Sequence, residues 1–94
     1  MTTLVTQFPP IEAGDGRVYS VQACGVHRHD GLWEGWLAFF DAHGGAWRTG
    51  RETVQPSQAA LEYWASGLTP VYLDGALSRA APVAPAVAVT PETT

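Results

Sequence analysis

The sequence contains no lysine; its 5 basic residues are all arginine. That absence excludes Schiff-base chemistry on a lysine amine and the lysine of a phosphate-cradling P-loop. Cysteine is almost as scarce. The single Cys24 rules out an intrachain disulfide and a CxxC motif, and it fits a reducing cytoplasm. Positive charge is in deficit, with a formal net charge of −4, whereas phosphate binding relies on clustered Lys and Arg. Long apolar runs are missing too, since none approaches the roughly 18 residues of a membrane helix. The stretch Met1–Pro10 has neither a basic n-region nor an apolar h-region, so it does not read as a secretory signal. These absences lead to the expectation of a soluble cytoplasmic protein with no membrane partner.

Aromatic residues are plentiful: 4 Trp, 3 Tyr and 3 Phe in 94 residues. A domain near this size buries only about 60% of the surface its unfolded chain exposes, so large rings must supply much of the core. The densest apolar stretch is Leu32–Phe40. Read as a strand, it places Leu32, Glu34, Trp36, Ala38 and Phe40 on one side and Trp33, Gly35, Leu37 and Phe39 on the other. A strand apolar on both sides belongs mid-sheet with something covering each face.

Around that stretch the chain reads as β-β-β-α-β. Residues 1–15, with Pro9-Pro10, read as an extended and mostly loose arm whose Val5 and Phe8 can dock on the domain. Arg17–Arg28 is the first strand, and Asp30-Gly31 suits a two-residue hairpin turn. That turn sets His27 opposite Glu34, Gly25 opposite Trp36 and Ala23 opposite Ala38. A third, polar strand spans Ala46–Val54 at an edge. Pro56 and Ser57 open a helix whose stripe is Ala60, Leu61, Trp64, Ala65 and Leu68, with Trp64 as its main anchor and Gly67 as a left-handed end. Thr69-Pro70 restarts an extended chain, and Val71–Ser78 reads as a fourth strand. Residues 80–94, rich in Ala, Pro and Thr, read as a disordered tail. The expected architecture is therefore a single α+β domain over 16–79. It has a four-stranded, mostly antiparallel sheet with one helix on one face. Strand four lies beside strand one, in order 3-2-1-4, or at the edge beside strand three.

Several segments resemble small, uncharacterised bacterial proteins: Trp33-Glu34-Gly35-Trp36, Arg51-Glu52-Thr53 with Gln55-Pro56, Ala60–Leu68, and Pro70–Ala76. The resemblance spans most of the folded part and brings no assigned activity, so no functional residue is carried over from it.

Three constellations invite a chemical reading. Cys24, His27, His29 and Asp30, with His43 further on, are metal-ligand types in close sequence. Strand parity splits Cys24 from the histidines, so histidines decorating a hairpin tip and a buried thiol explain them better, and no metal is expected. His27 with Glu34 has the makings of an acid–base pair, but no local motif sets a nucleophile beside it, so catalysis is not the leading reading. Arg48, Arg51, Arg17 and Arg28 beside aromatic rings resemble a platform for stacking single-stranded nucleic acid, against which the acidic total weighs.

The two-sided aromatic strand remains the strongest signal. A helix of about a dozen residues is only some 18 Å long and leaves one sheet face open. The leading expectation is a non-catalytic protein-interaction or self-association module, a homodimer, without cofactor. Its interaction face draws on Trp33, Trp36, Leu37, Phe39 and Trp47. The alternatives are a small-molecule-binding protein or enzyme with a helix–sheet pocket near His27, Glu34 and Trp36, and a single-stranded nucleic-acid binder.

Overall fold

The computed structural model describes residues 1–83. The chain is α+β. It comprises strands β1 (Thr3–Glu12), β2 (Val18–His27), β3 (Trp33–Phe40), β4 (Ala46–Arg48) and β5 (Thr53–Gln55), helices α1 (Gln58–Ser66) and α2 (Pro70–Arg79), and a short β6 (Ala81–Pro82). All pairings are antiparallel, in the order β1-β2-β3-β4-β6, with β5 pairing further along β3.

The arm expected at the N-terminus is a sheet strand. β1 pairs with β2 along its length, with irregularities between Leu4 and Thr6 and between Phe8 and Ile11. Pro9 and Pro10 fall in the second of these. Proline has no N–H for a ladder, and an edge strand with a bulge is where a sheet tolerates it. Val5, Phe8 and Ile11 pack against the core.

The β2–β3 hairpin differs from the expected register by one residue. Arg28 N–H bonds to the Leu32 carbonyl at 2.7 Å, and Gly31, at φ +88°, lies between them in the left-handed region. The loop is thus three residues, His29-Asp30-Gly31, a common hairpin form that ends on a left-handed glycine. Gly25 faces Gly35, Cys24 faces Trp36, and Val26 faces Glu34. The expected pairs Gly25–Trp36 and His27–Glu34 do not form.

The third expected strand is two short strands. β4 and β5 are separated by Thr49–Glu52, which bulge away while keeping contact with β3. Thr49, 1% exposed, donates its N–H to the Leu37 carbonyl at 2.9 Å, and its hydroxyl accepts the Leu37 N–H at 3.1 Å. The turn before β4 is held by the Asp41 carboxylate, which accepts the N–H groups of His43 and Gly45. Those two backbone bonds hold its pKa below the usual value.

Helix α1 starts where the sequence placed it. Ser57 caps it by accepting the Ala60 N–H at 3.1 Å. Gly67 ends it in ordinary right-handed geometry, φ −92°, rather than the left-handed form. The anchor is also a different residue. Leu61 and Ala65 are fully buried, whereas Trp64 is half-buried. Leu61 sits over Gly25 and Gly35, which lie side by side on adjacent strands. A Cβ on Gly25 would come 2.5 Å from Leu61 Cδ2, and one on Gly35 2.6 Å from Leu61 Cδ1. The two glycines form a saddle in the sheet that the leucine fills.

The expected fourth strand is helix α2, which corrects the one-helix architecture. Thr69 accepts the Tyr72 N–H at 3.2 Å as N-cap, and Pro70 occupies the first turn, where its fixed φ and missing N–H carry no penalty. Leu73 and Ala76 point into the core. The Tyr72 hydroxyl donates to Glu52 Oε1 at 2.5 Å, and Arg79 donates to the same oxygen at 2.7 Å, so α2 is tied to the segment between β4 and β5. Of the expected tail, Ala81–Pro82 pair with β4; residues 84–94 lie outside the described residues.

Candidate interaction surface

Both helices lie on one side of the sheet, here called the inner face. Its core joins Tyr19, Val21 and Ala23 of β2 and Leu37 and Phe39 of β3 to Ala65, Leu73 and Ala76 of the helices. Strand alternation then sends Cys24 and Val26, with Trp36, Ala38 and Phe40, to the outer face, where they form a second apolar cluster. Cys24, Trp36 and Ala38 are each 8% exposed and form its floor. Register places two exposed apolar side chains beside them, Leu4 next to Cys24 and Val54 next to Glu34, while the exposed Val18 lies at the far end of the same face. The Arg48 guanidinium lies 4.2 Å over the Trp36 ring, a cation–π contact that also drapes its aliphatic stem along the floor.

The five residues expected to share one interaction face are divided. Trp36 is on the outer face. Leu37 and Phe39 are fully buried beneath the helices and cannot meet a partner in the folded chain. Trp47 is also on the inner side, half-buried, with its ring edge-on to Tyr19 at a centroid distance of 5.6 Å. Trp33 is at the hairpin end, stacked on the His27 ring at 4.9 Å and 11°. The one-residue register change accounts for this last contact, since it sets His27 opposite Trp33.

His27 and Glu34 consequently lie on opposite faces. Glu34 sits between arginines instead, 3.5 Å from Arg28 and 4.0 Å from Arg51, and Arg28 also pairs with Asp30 at 2.8 Å. With Arg79 on Glu52, Arg17 near Asp15 and Arg48 on Trp36, every arginine already has a partner. No helix–sheet pocket unites His27, Glu34 and Trp36. Burial pushes the Cys24 thiol up, against a smaller opposing pull from Arg48, so its reactive thiolate is disfavoured. Among the described residues, no three His, Cys, Asp or Glu side chains converge as metal ligands, and no helix is long and apolar enough to cross a membrane.

The outer-face cluster was half legible. Alternation in Leu32–Phe40 gave Trp36, Ala38 and Phe40 as one set. The contribution of Leu4 needed β1 to be a paired strand, and that of Val54 needed the bulge before β5. The fold and its faces define a two-layer α+β module with one helix-covered face. No family model, curated protein or solved structure matches the chain.

Proposed function

We propose that the chain is a non-catalytic self-association module in which a second copy packs on the outer sheet face. One observation carries this reading: both helices cover the inner face, while the outer face exposes Leu4 beside Cys24 and Val54 beside Glu34, next to the Trp36 floor, and Val18 at its far end. Apolar surface left in water is unfavourable by about 25 cal/mol per Å², so a partner there is stabilised. The molecule is a slab 40 × 36 Å across and 19 Å thick. Its broad side accommodates the roughly 800 Å² per partner of a standard interface. Arg28 and Arg51 bracket Glu34 at one end of the face, so a second copy meets little unbalanced charge there. The separation of His27 from Glu34 and the disfavoured Cys24 thiolate support a non-catalytic role.

Light scattering coupled to size exclusion tests the proposal. Wild type is expected to show a concentration-dependent dimer, and Leu4→Arg or Val54→Arg to shift it toward monomer with the fold intact. Tyr63→Arg, on the exposed side of α1 at 83% exposure, is the control that leaves association unchanged. A wild type that stays monomeric at millimolar concentration defeats the proposal.

A further inference from the structure

The two edges of the sheet are built differently. On the far side the strands are short: β5 has 3 residues and β6 has 2. The near edge is β1, with 10 residues, at the end of the strand order. Among the described residues, no backbone hydrogen bond joins Thr3–Phe8 to any strand but β2. An edge left open in this way is a template for another strand, and proteins commonly guard it with charge, proline or brevity. Thr3–Phe8 carries neither charge nor proline. The guard comes only at Pro9 and Pro10, which have no N–H to offer a ladder.

The irregularity at Val5 selects what this edge accepts. Residues directly opposite one another in an antiparallel pair share a face. Thr3 opposes Gly25, Thr6 opposes Ala23 and Phe8 opposes Val21, all on the inner face. Leu4 opposes Cys24 and Gln7 opposes Gln22, both on the outer face. Val5, which the register passes over, packs inward against the core. From Thr3 to Phe8 the side chains therefore run in, out, in, in, out, in. A regular strand alternates strictly, so it matches this edge on one side of the irregularity only. The directions are palindromic about the Val5–Thr6 bond, however. An antiparallel copy of the same segment matches throughout, setting Thr3 against Phe8, Leu4 against Gln7 and Val5 against Thr6 of the second copy.

We infer that β1 is a further association surface, where two copies of the chain pair through Thr3–Phe8 about a two-fold axis beside the Val5–Thr6 bond. Such an interface is isologous, and no like charges face each other across it. It is separate from the outer face. Being one strand wide, it is also the smaller and weaker of the two contacts.

The test is made on Val54→Arg, in which contact through the outer face is disabled. At millimolar concentration this chain is expected to dimerise in sedimentation, with hydrogen-exchange protection gained within Thr3–Phe8. Charge then reads the register. Adding Leu4→Lys with Gln7→Lys sets like charges opposite each other at two symmetry-related places, whereas Leu4→Lys with Gln7→Glu sets opposite charges there. Leu4 and Gln7 are both exposed, so both variants should keep the fold. The mixed-charge variant is expected to dimerise about tenfold more tightly than the like-charge one. Equal affinities would overturn the palindromic pairing, and a Val54→Arg chain that stays monomeric at millimolar concentration would overturn the edge as an association surface. Wild type against Val54→Arg reports on the outer face alone, so either proposal can fail without the other.

Discussion

The two faces of strands β2 and β3 are built from adjacent residues and have opposite fates. On the inner face Val21, Ala23, Leu37 and Phe39 are wholly sealed by α1 and α2. On the outer face Val26 and Phe40 stay partly open, Leu4 and Val54 are exposed beside the floor, and Val18 is exposed at the far end of β2. Composition does not separate the faces, since both are apolar and both carry large rings. What separates them is relief. The inner face is indented by the Gly25–Gly35 pair, which accepts Leu61, so a helix can approach closely there. The outer face has Cys24 and Val26 beside Trp36 and Glu34 at the same level, and Arg48 lies across Trp36.

The contrast can be broken most severely from the inside. Phe39→Ala removes the largest fully buried side chain and is expected to destabilise the fold by about 3–5 kcal/mol, read by urea unfolding. In a domain this small that is a large part of the whole stability.

The glycine saddle sharpens the comparison. Leu61→Ala should cost about 2–5 kcal/mol through the cavity it leaves, and Gly35→Ala about 1–3 kcal/mol through crowding against Leu61. The double variant is expected to lose clearly less than the two costs added, because the new methyl partly fills the space that the leucine vacates. Strict additivity in a double-mutant cycle would show that Leu61 does not rest on Gly35.

On the outer face the effect on folding should nearly vanish. Val54→Ser is expected to change monomer stability by no more than about 0.5 kcal/mol. The same substitution should weaken self-association, so unfolding and sedimentation measured side by side would report on different faces.

The smallest effect concerns the tie between α2 and the segment before β5. The bond to Glu52 raises the Tyr72 pKa above its ordinary value, with burial and the Glu52 charge adding to it. A group whose folded pKa is raised contributes stability that is fully present below the unfolded pKa, near 10, and is lost as pH rises through the folded value. Stability should therefore decline in alkali, and Tyr72→Phe should flatten that part of the profile while leaving its acid side unchanged. An identical alkaline slope in the variant would remove Tyr72 as the cause.

Much of the middle of the chain was legible. Leu32–Phe40 alternates cleanly, the three-residue spacing around Leu61 marks α1, and Ser57 is a strong cap. Misreadings arose where two physical rules compete for one residue. Thr69-Pro70 is both an extension signal and an N-cap followed by a first-turn proline, and Val71–Leu77 fits both periods. The Asp30-Gly31 pair supports loops of two or three residues, and the choice moves every cross-strand partner by one.

Local chemistry in the sequence determined the strands β2 and β3, the helix α1 and its cap, and the apolar character of both sheet faces. These follow from alternation, helical spacing and hydrogen-bonding groups within a few residues of one another. Only the tertiary structure decided that Thr3–Glu12 is a strand, that Pro70–Arg79 is a helix, and that the helices take the face bearing Gly25 and Gly35. A strand's pairing is satisfied by a distant partner, here β2 for β1. A helix chooses between two apolar faces by the depth of contact they allow, and that depth exists only once the β2–β3 hairpin sets Gly25 and Gly35 side by side.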